Sequence, residues 1–194
     1  MKNITAIILI VLGLIVLVQG CSTYNGFVDK EENVTNAWSK VESSYQRRAD
    51  LIPNLVEIVK GYAAHEKETL ESVINARAKA TSTTIDANNL TPESMAQFQQ
   101  AQQGLSGALS RLLVTVEKYP DLKANQNFLE LQAQLEGTEN RIKVARDKFN
   151  DVVTVYNKSV KRFPGNLYAG VFGFSSKSTF QAEEGSEKAP DIKF

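Results

Sequence analysis

The chain predicts an all-α fold: an antiparallel bundle of three to four long helices behind an N-terminal signal or anchor segment. Three observations carry that prediction. A single apolar stretch opens the sequence, apolar residues then recur at alternating three- and four-residue steps, and no strand-like alternation bounded by turns appears. The length of 194 residues suits one domain with a sizeable core.

The opening segment comes first. Lys2 is the only charged side chain before Asp29, and the thirteen residues from Ala6 to Val18 are apolar apart from Gly13. That length fits the apolar core of a secretory signal, about 7–15 residues, better than a spanning helix of about 20. Counted from Ile4 to Gly20 the stretch reaches seventeen residues, the lower edge of a span. Val18-Gln19-Gly20-Cys21 then sets an aliphatic residue three before a cysteine and the smallest residue directly before it. This resembles the bacterial lipobox, with Cys21 as the lipid attachment point and cleavage before it; Gln19 is a less common occupant of its position. The alternative is an ordinary cysteine just past an uncleaved membrane helix. Either way the protein sits at a membrane, through lipid or helix. With Lys2 inside and no positive cluster after the segment, the body is expected outside the cytoplasm, on the periplasmic side in a bacterium. The expected divisions are 1–20 for signal or anchor, 21–180 for the bundle and 181–194 for a polar tail.

The first body helix follows from Val34, Trp38, Val41, Tyr45, Arg48, Ile52, Leu55, Val59, Tyr62, Glu66, Thr69 and Val73, which step by four and three throughout. Pro53 interrupts it chemically, lacking an N–H and crowding the preceding turn. Asp50 could cap a new helix there, but the apolar phase runs on unbroken, which favours a kink over a reversal; a true break would make four helices. After a polar linker from Ala80 to Leu90, Thr91-Pro92-Glu93 is a strong helix start. Met95, Phe98, Gln102, Leu105, Leu109, Leu112, Val116 and Tyr119 form the second stripe, which Pro120 ends. The third runs Phe128, Leu131, Leu135, Thr138, Ile142, Ala145, Phe149, Val152, Tyr156 and Ser159, stopped by Pro164-Gly165. Leu167 to Phe180 is apolar and closes one open end of the bundle, or else meets a membrane or partner.

Chemistry is sparse. The balance of 22 basic and 22 acidic side chains leaves no footprint for nucleic acid. Without residues 1–20, and so without Lys2, the body carries a net charge of −1. One cysteine closes no internal disulfide, and with one histidine it supplies no structural zinc site. His65, expected on a helix, has no ligand partners at helical spacing, and no nucleophile elbow or phosphate loop occurs. No catalytic residue, metal or cofactor is expected. Gly104 and Gly107, inside the second stripe, suggest close helix contact. Glu139, Arg146, Asn150 and Asn157 form a polar stripe along the last long helix at spacings of seven, four and seven. With Arg47, Arg48, Asp50, Asn54 and Glu117, they are read as groups that hydrogen-bond across helices and fix register. A ligand-binding groove is the alternative.

Tyr24-Asn25, Ala37-Trp38, Arg47-Arg48 and Asp50-Leu51-Ile52-Pro53-Asn54-Leu55 make the chain resemble the LemA family. The likeness continues through Val59-Lys60-Gly61-Tyr62, His65-Glu66, Ala76-Arg77, Glu117, Tyr119-Pro120-Asp121-Leu122-Lys123-Ala124-Asn125 and Thr138-Glu139-Asn140-Arg141-Ile142. Ala145-Arg146, Phe149-Asn150, Tyr156-Asn157, Phe163-Pro164 and Pro190-Asp191-Ile192-Lys193-Phe194 complete it, so it spans nearly everything from Tyr24 onward. The resemblance implies a bacterial helical bundle on a membrane anchor, with no established catalytic activity. Its members commonly lie beside genes for other membrane-associated proteins, proteases included. Most carry a plain transmembrane helix where this chain has Val18–Cys21, a departure that touches topology and not fold. The expected role is a tethered scaffold or adaptor acting on an unidentified protein partner, with envelope-ligand binding along the polar stripe as the alternative. The terminal Ile192-Lys193-Phe194 has the form that strand-adding peptide-binding domains accept, though packing of Phe194 on the bundle is preferred.

Overall fold

One helix carries the chain from the apolar segment to the far end of the bundle. The computed structural model describes residues 2–181, the side chains of residues 2, 3, 5 and 6 excepted; the Pro190–Phe194 motif and the rest of the expected tail beyond 181 lie outside them. The helix α1, Lys2–Tyr62, is 61 residues long, about 90 Å at 1.5 Å per residue. Ile4 and the stretch from Ile7 to Val18 are exposed apolar surface. Farther along, Phe27, Val34, Trp38, Val41, Tyr45, Ile52, Leu55 and Val59 are buried, on the expected three–four step.

Pro53 sits on the exposed outer face and α1 passes through it without reversal. The missing N–H leaves the carbonyl four residues back, on Ala49, without its helical donor. Arg77 supplies one, its Nε donating to the Ala49 carbonyl at 2.7 Å. Asp50 therefore caps nothing.

The reversal comes later and corrects the expected first helix, which was to run on through Val73. The α1 helix ends at Tyr62, and α2 is Lys67–Ser82. The stripe had already weakened there: Glu66 and Thr69 are two successive polar occupants of seam positions, and Gly61 loosens the last turn. Glu66 instead accepts from the Tyr119 hydroxyl at 3.1 Å, tying the turn to the end of the next hairpin. That bond, with burial and the nearby carboxylate charge, raises the phenol pKa of Tyr119. His65 lies exposed in this turn and not on a helix.

The α3 helix, Pro92–Val116, opens with a reciprocal cap in which Thr91 Oγ1 accepts from Ser94 N and Ser94 Oγ accepts from Thr91 N. After it come a single turn, α4 (Pro120–Lys123), and the 36-residue α5, Gln126–Lys161. Asn125 caps α5, accepting from Phe128 N at 3.1 Å, and donates to the Tyr62 hydroxyl at 3.0 Å. The body of α1, then α2, α3 and α5 alternate in direction, so the bundle has four long helices, with its extra break after Tyr62 and not at Pro53. A last helix, α6 (Gly165–Phe172), turns back onto α1 and ends at Gly173, whose φ of 80° is the left-handed conformation glycine adopts freely. The turn into α6 requires glycine: a Cβ on Gly165 would lie 2.4 Å from the Ser159 carbonyl oxygen.

Two cores result. The near half, beside the apolar end of α1, is aromatic: Phe27, Trp38, Tyr45, Phe98, Phe149, Tyr156 and Phe180. The far half is aliphatic, built on Ile52, Leu55, Val59, Leu105, Leu112 and Leu122 with Phe128. Gly104 and Gly107 do not mediate close helix contact, since a Cβ on Gly104 would meet nothing and one on Gly107 only the end of the Arg111 side chain at 4.0 Å.

Candidate functional site

The polar stripe of α5 holds the chain's own C-terminal strap, residues 173–181. Asn157 donates from Nδ2 to the Lys177 carbonyl at 2.8 Å and accepts from Lys177 N at 2.9 Å. Asn150 does the same to Phe180, at 3.2 and 2.9 Å. A carboxamide offers one donor and one acceptor, so it can pair with both backbone groups of one extended residue, as a neighbouring strand would. The spacings agree: seven helical residues rise about 10 Å, and three extended residues span about the same.

Other groups complete the grip. Arg146 Nη2 and Gln99 Nε2 both donate to the Gln181 carbonyl, at 3.4 and 3.2 Å, bridging α5 and α3 across the strap. The Arg146 guanidinium also lies over the Phe180 ring, 4.8 Å from its centroid. Phe180 fills the gap between α3 and α5, its ring 5.9 Å from Trp38 and 5.5 Å from Phe149. Lys177 is buried, yet its ammonium pairs with Glu31 at 2.9 Å and donates to the Ala87 and Asn88 carbonyls at 3.3 and 3.1 Å. The strap thus joins α1, the loop before α3, and α5. Beneath it the Tyr156 hydroxyl is buried with no hydrogen-bond partner among the described residues, and burial, aided by the charge of Glu31, pushes its pKa up to about 12.

The expectation that the stripe bonds across helices is therefore corrected for three of its members. Arg146, Asn150 and Asn157 bond to an extended segment of distant sequence. Glu139 does reach another helix, accepting from Arg48 Nη1 at 2.9 Å.

Arg48 anchors a polar layer between the two cores. Its Nη1 also donates to Ser106 Oγ and its Nη2 to Gln102 Oε1, both at 2.9 Å, while the guanidinium stacks 5.1 Å from the Tyr45 ring centroid. Gln102 in turn donates to the Ala80 carbonyl at 3.2 Å. A buried guanidinium is tolerated only when paired and hydrogen-bonded, and these partners meet that demand at both terminal nitrogens, while Nε is buried with no partner among the described residues. The layer opens outward into a cleft of about 430 Å³ lined by Tyr45, Arg48, Gln99, Gln102, Gln103, Ser106, Glu139 and Arg146. Its lining gathers two guanidiniums, one carboxylate, three carboxamides and two hydroxyls.

The remaining candidates stay apart. Arg47, Asp50 and Asn54 are exposed on α1, Asp50 accepting from Gln46 at 2.7 Å, and Glu117 pairs with Lys123. Among the described residues no group of three metal-ligating side chains occurs. Gln102, Ser106, Lys177 and Phe180 escaped the sequence reading as site residues. Gln102 carried a signal, a polar side chain at a seam position of α3 facing Arg48 at a seam position of α1. Phe180 carried one as the end of the apolar segment expected to close the bundle, and Lys177 carried none.

At the N-terminus, α1 continues through Val18–Cys21, and Cys21 is exposed. Gly20 is covered by Tyr168 of α6, whose ring carbon would lie 3.4 Å from a Cβ there. Among the described residues α1 is the one helix long and apolar enough to cross a membrane.

Comparison with known sequences places these features in context. The profile described as "LemA family" matches residues 37–194. Magnetosome protein MamQ 2 of Paramagnetospirillum magneticum is 27% identical over 179 residues, covering 81% of this chain and 64% of that protein. Protein LemA of Metamycoplasma hominis is 25% identical over 160 residues, covering 82% of this chain and 69% of its own length. The chain thus spans under two thirds of the magnetosome relative it matches.

Proposed function

The chain belongs to the LemA family, and from that premise we propose that it is a membrane-tethered helical scaffold of a bacterial envelope, acting by protein contact without catalysis. The observation that carries the proposal is the continuity of α1. The same helix that exposes Ile7 to Val18 buries one face from Val34 to Val59 in the bundle, so the body is coupled stiffly to its anchor. A stiff coupling suits presenting a surface at a set height above a bilayer. Three relatives bear the names of magnetosome proteins, which agrees with a membrane-associated helical protein. The body lies on the extracytoplasmic side, following the single Lys2 at the other end. Cys21 is exposed, and acylation there with cleavage before it would exchange this helical anchor for a lipid one.

Mild crosslinking of the intact protein in membranes, followed by its isolation, is expected to recover one specific companion in stoichiometric amount; recovery of abundant bystanders alone counts against a scaffold. Metabolic labelling with a fatty-acid probe separates the two anchors: labelling of the native chain and not of Cys21→Ser shows lipid attachment in place of the helix. Equal labelling of both, or of neither, removes the lipid attachment and leaves the helix as anchor.

A further inference from the structure

We propose that α6, with Phe163 before it, lies in the membrane interface beside α1 and makes a second, lipid-facing contact that sets the tilt of the bundle. The proposal rests on the reading of the N-terminal segment as membrane-embedded and goes beyond it. Phe163, Leu167 and Val171 are 80%, 60% and 79% exposed. Leu167 and Val171, four residues apart, share one face of α6, while Ala169 on the other is buried in the near core. Lone exposed apolar residues are ordinary on a protein surface; a face of them on a short helix at one particular height is not.

The height decides the occupant. Tyr168 packs on Gly20 and its hydroxyl donates to the Val16 carbonyl at 3.5 Å, so α6 sits beside the last turn of the apolar stretch and not above it. The seventeen residues Ile4–Gly20 rise only about 25 Å, against about 30 Å of hydrocarbon. A bilayer that covers them extends past Gly20 on the body's side, to the level of Tyr24 and Phe172, and no charge opposes this before Asp29. At that level the rings gather: Tyr24 lies 5.1 Å from Phe172 and 5.6 Å from Phe174, the arrangement of an interfacial aromatic belt. Lys161 and Arg162, exposed just before Phe163, are placed to reach phosphate headgroups. The exposed face of α6 is thus continuous with the exposed surface of the anchor, and lipid is its occupant.

The test uses the full, uncleaved chain carrying Cys21→Ser, reconstituted in vesicles of phosphatidylcholine and phosphatidylglycerol. One nitroxide is attached through Val11→Cys, Val171→Cys or Val144→Cys, the last an exposed position on α5 away from the anchor. Collision with an aqueous nickel chelate and with oxygen reports depth. Val171 is expected to be protected from nickel several-fold relative to Val144, approaching Val11, with no spin–spin broadening. Protection at Val11 with Val171 as open as Val144 overturns the proposal while leaving the anchor in place. Both positions open to nickel overturns the anchor reading and this proposal with it. Broadening between Val171 labels that survives dilution with unlabelled lipid shows a second copy on this face, and overturns lipid as the occupant.

Discussion

The two halves of the bundle are closed by different means. In the far half, two short chain reversals do the closing: the turn after Tyr62 meets the turn before α5 through Tyr62–Asn125 and Glu66–Tyr119, over an aliphatic core. In the near half, α3 and α5 stand apart, and the space between them is filled by a strap whose Phe180 meets Trp38 from 142 positions away. The first arrangement follows from chain reversals that are short and local. The second depends on loop closure over nearly the whole body, and its aromatic rings and paired amides provide the contact area and direction that such a closure needs.

The comparison breaks most visibly at Phe180. Phe180→Ala is expected to cost about 3–4 kcal/mol, as for other buried phenylalanines. Hydrogen exchange should then quicken in the near parts of α3 and α5, with the far half protected as before. Equal loosening of both halves would show that they are one cooperative unit.

Arg48 comes next. Removing it as Arg48→Met strips the layer of its shared donor and is expected to cost about 2–3 kcal/mol. Glu139→Gln, at a carboxylate that is 58% exposed, should cost under about 1 kcal/mol. Chemical denaturation of both variants gives the order, and a reversed order would mean that Glu139 and not Arg48 holds the layer.

The asparagine clamps rank third. Asn150→Ala and Asn157→Ala should each cost about 1–2 kcal/mol by leaving half-buried backbone groups of the strap unpaired. Asn150→Asp should not rescue, because a carboxylate cannot donate to the Phe180 carbonyl. Melting curves decide it.

Smaller still is the coupling at Pro53. Arg77→Ala should cost about 1 kcal/mol in the native chain and clearly less beside Pro53→Ala, where a restored N–H serves the Ala49 carbonyl. An additive double mutant would sever the two.

Tyr156 gives the smallest effect at neutral pH. Its hydroxyl has no partner among the described residues, so Tyr156→Phe should shift stability by under about 0.5 kcal/mol near pH 7. With the folded pKa raised from 10.0 to about 12, the unfolded chain loses its proton first. Stability is therefore whole below pH 10 and falls as pH rises toward 12. Tyr156→Phe should flatten that fall, as pH-dependent melting will register.

Much of the fold was legible because apolar periodicity is a local property. The stripes from Val34 to Val59, Met95 to Val116 and Phe128 to Tyr156 are buried along most of their lengths, and the Thr91 start is capped as its residues imply. Reversal at Pro53, the less favoured alternative, did not occur because proline's cost can be met from outside the helix, and Arg77 meets it. The turn at Ala63–Glu66 went unnoticed because one missed apolar step looks like ordinary variation. On α5, the spacing of Arg146, Asn150 and Asn157 marked one face, and an asparagine at a seam announces a need for partners without naming them.

By itself, then, the sequence determined the all-helical class, the apolar segment ahead of the bundle, the buried faces and the presence of a polar stripe that had to be satisfied. Each of these depends on residues within a few turns of one another. Only the tertiary structure decided that the stripe clasps Lys177 and Phe180, that Arg48 divides an aromatic core from an aliphatic one, and that α6 returns to Gly20. Those pairings join residues separated by most of the chain, and they are selected by which surfaces remain unburied once the helices have packed.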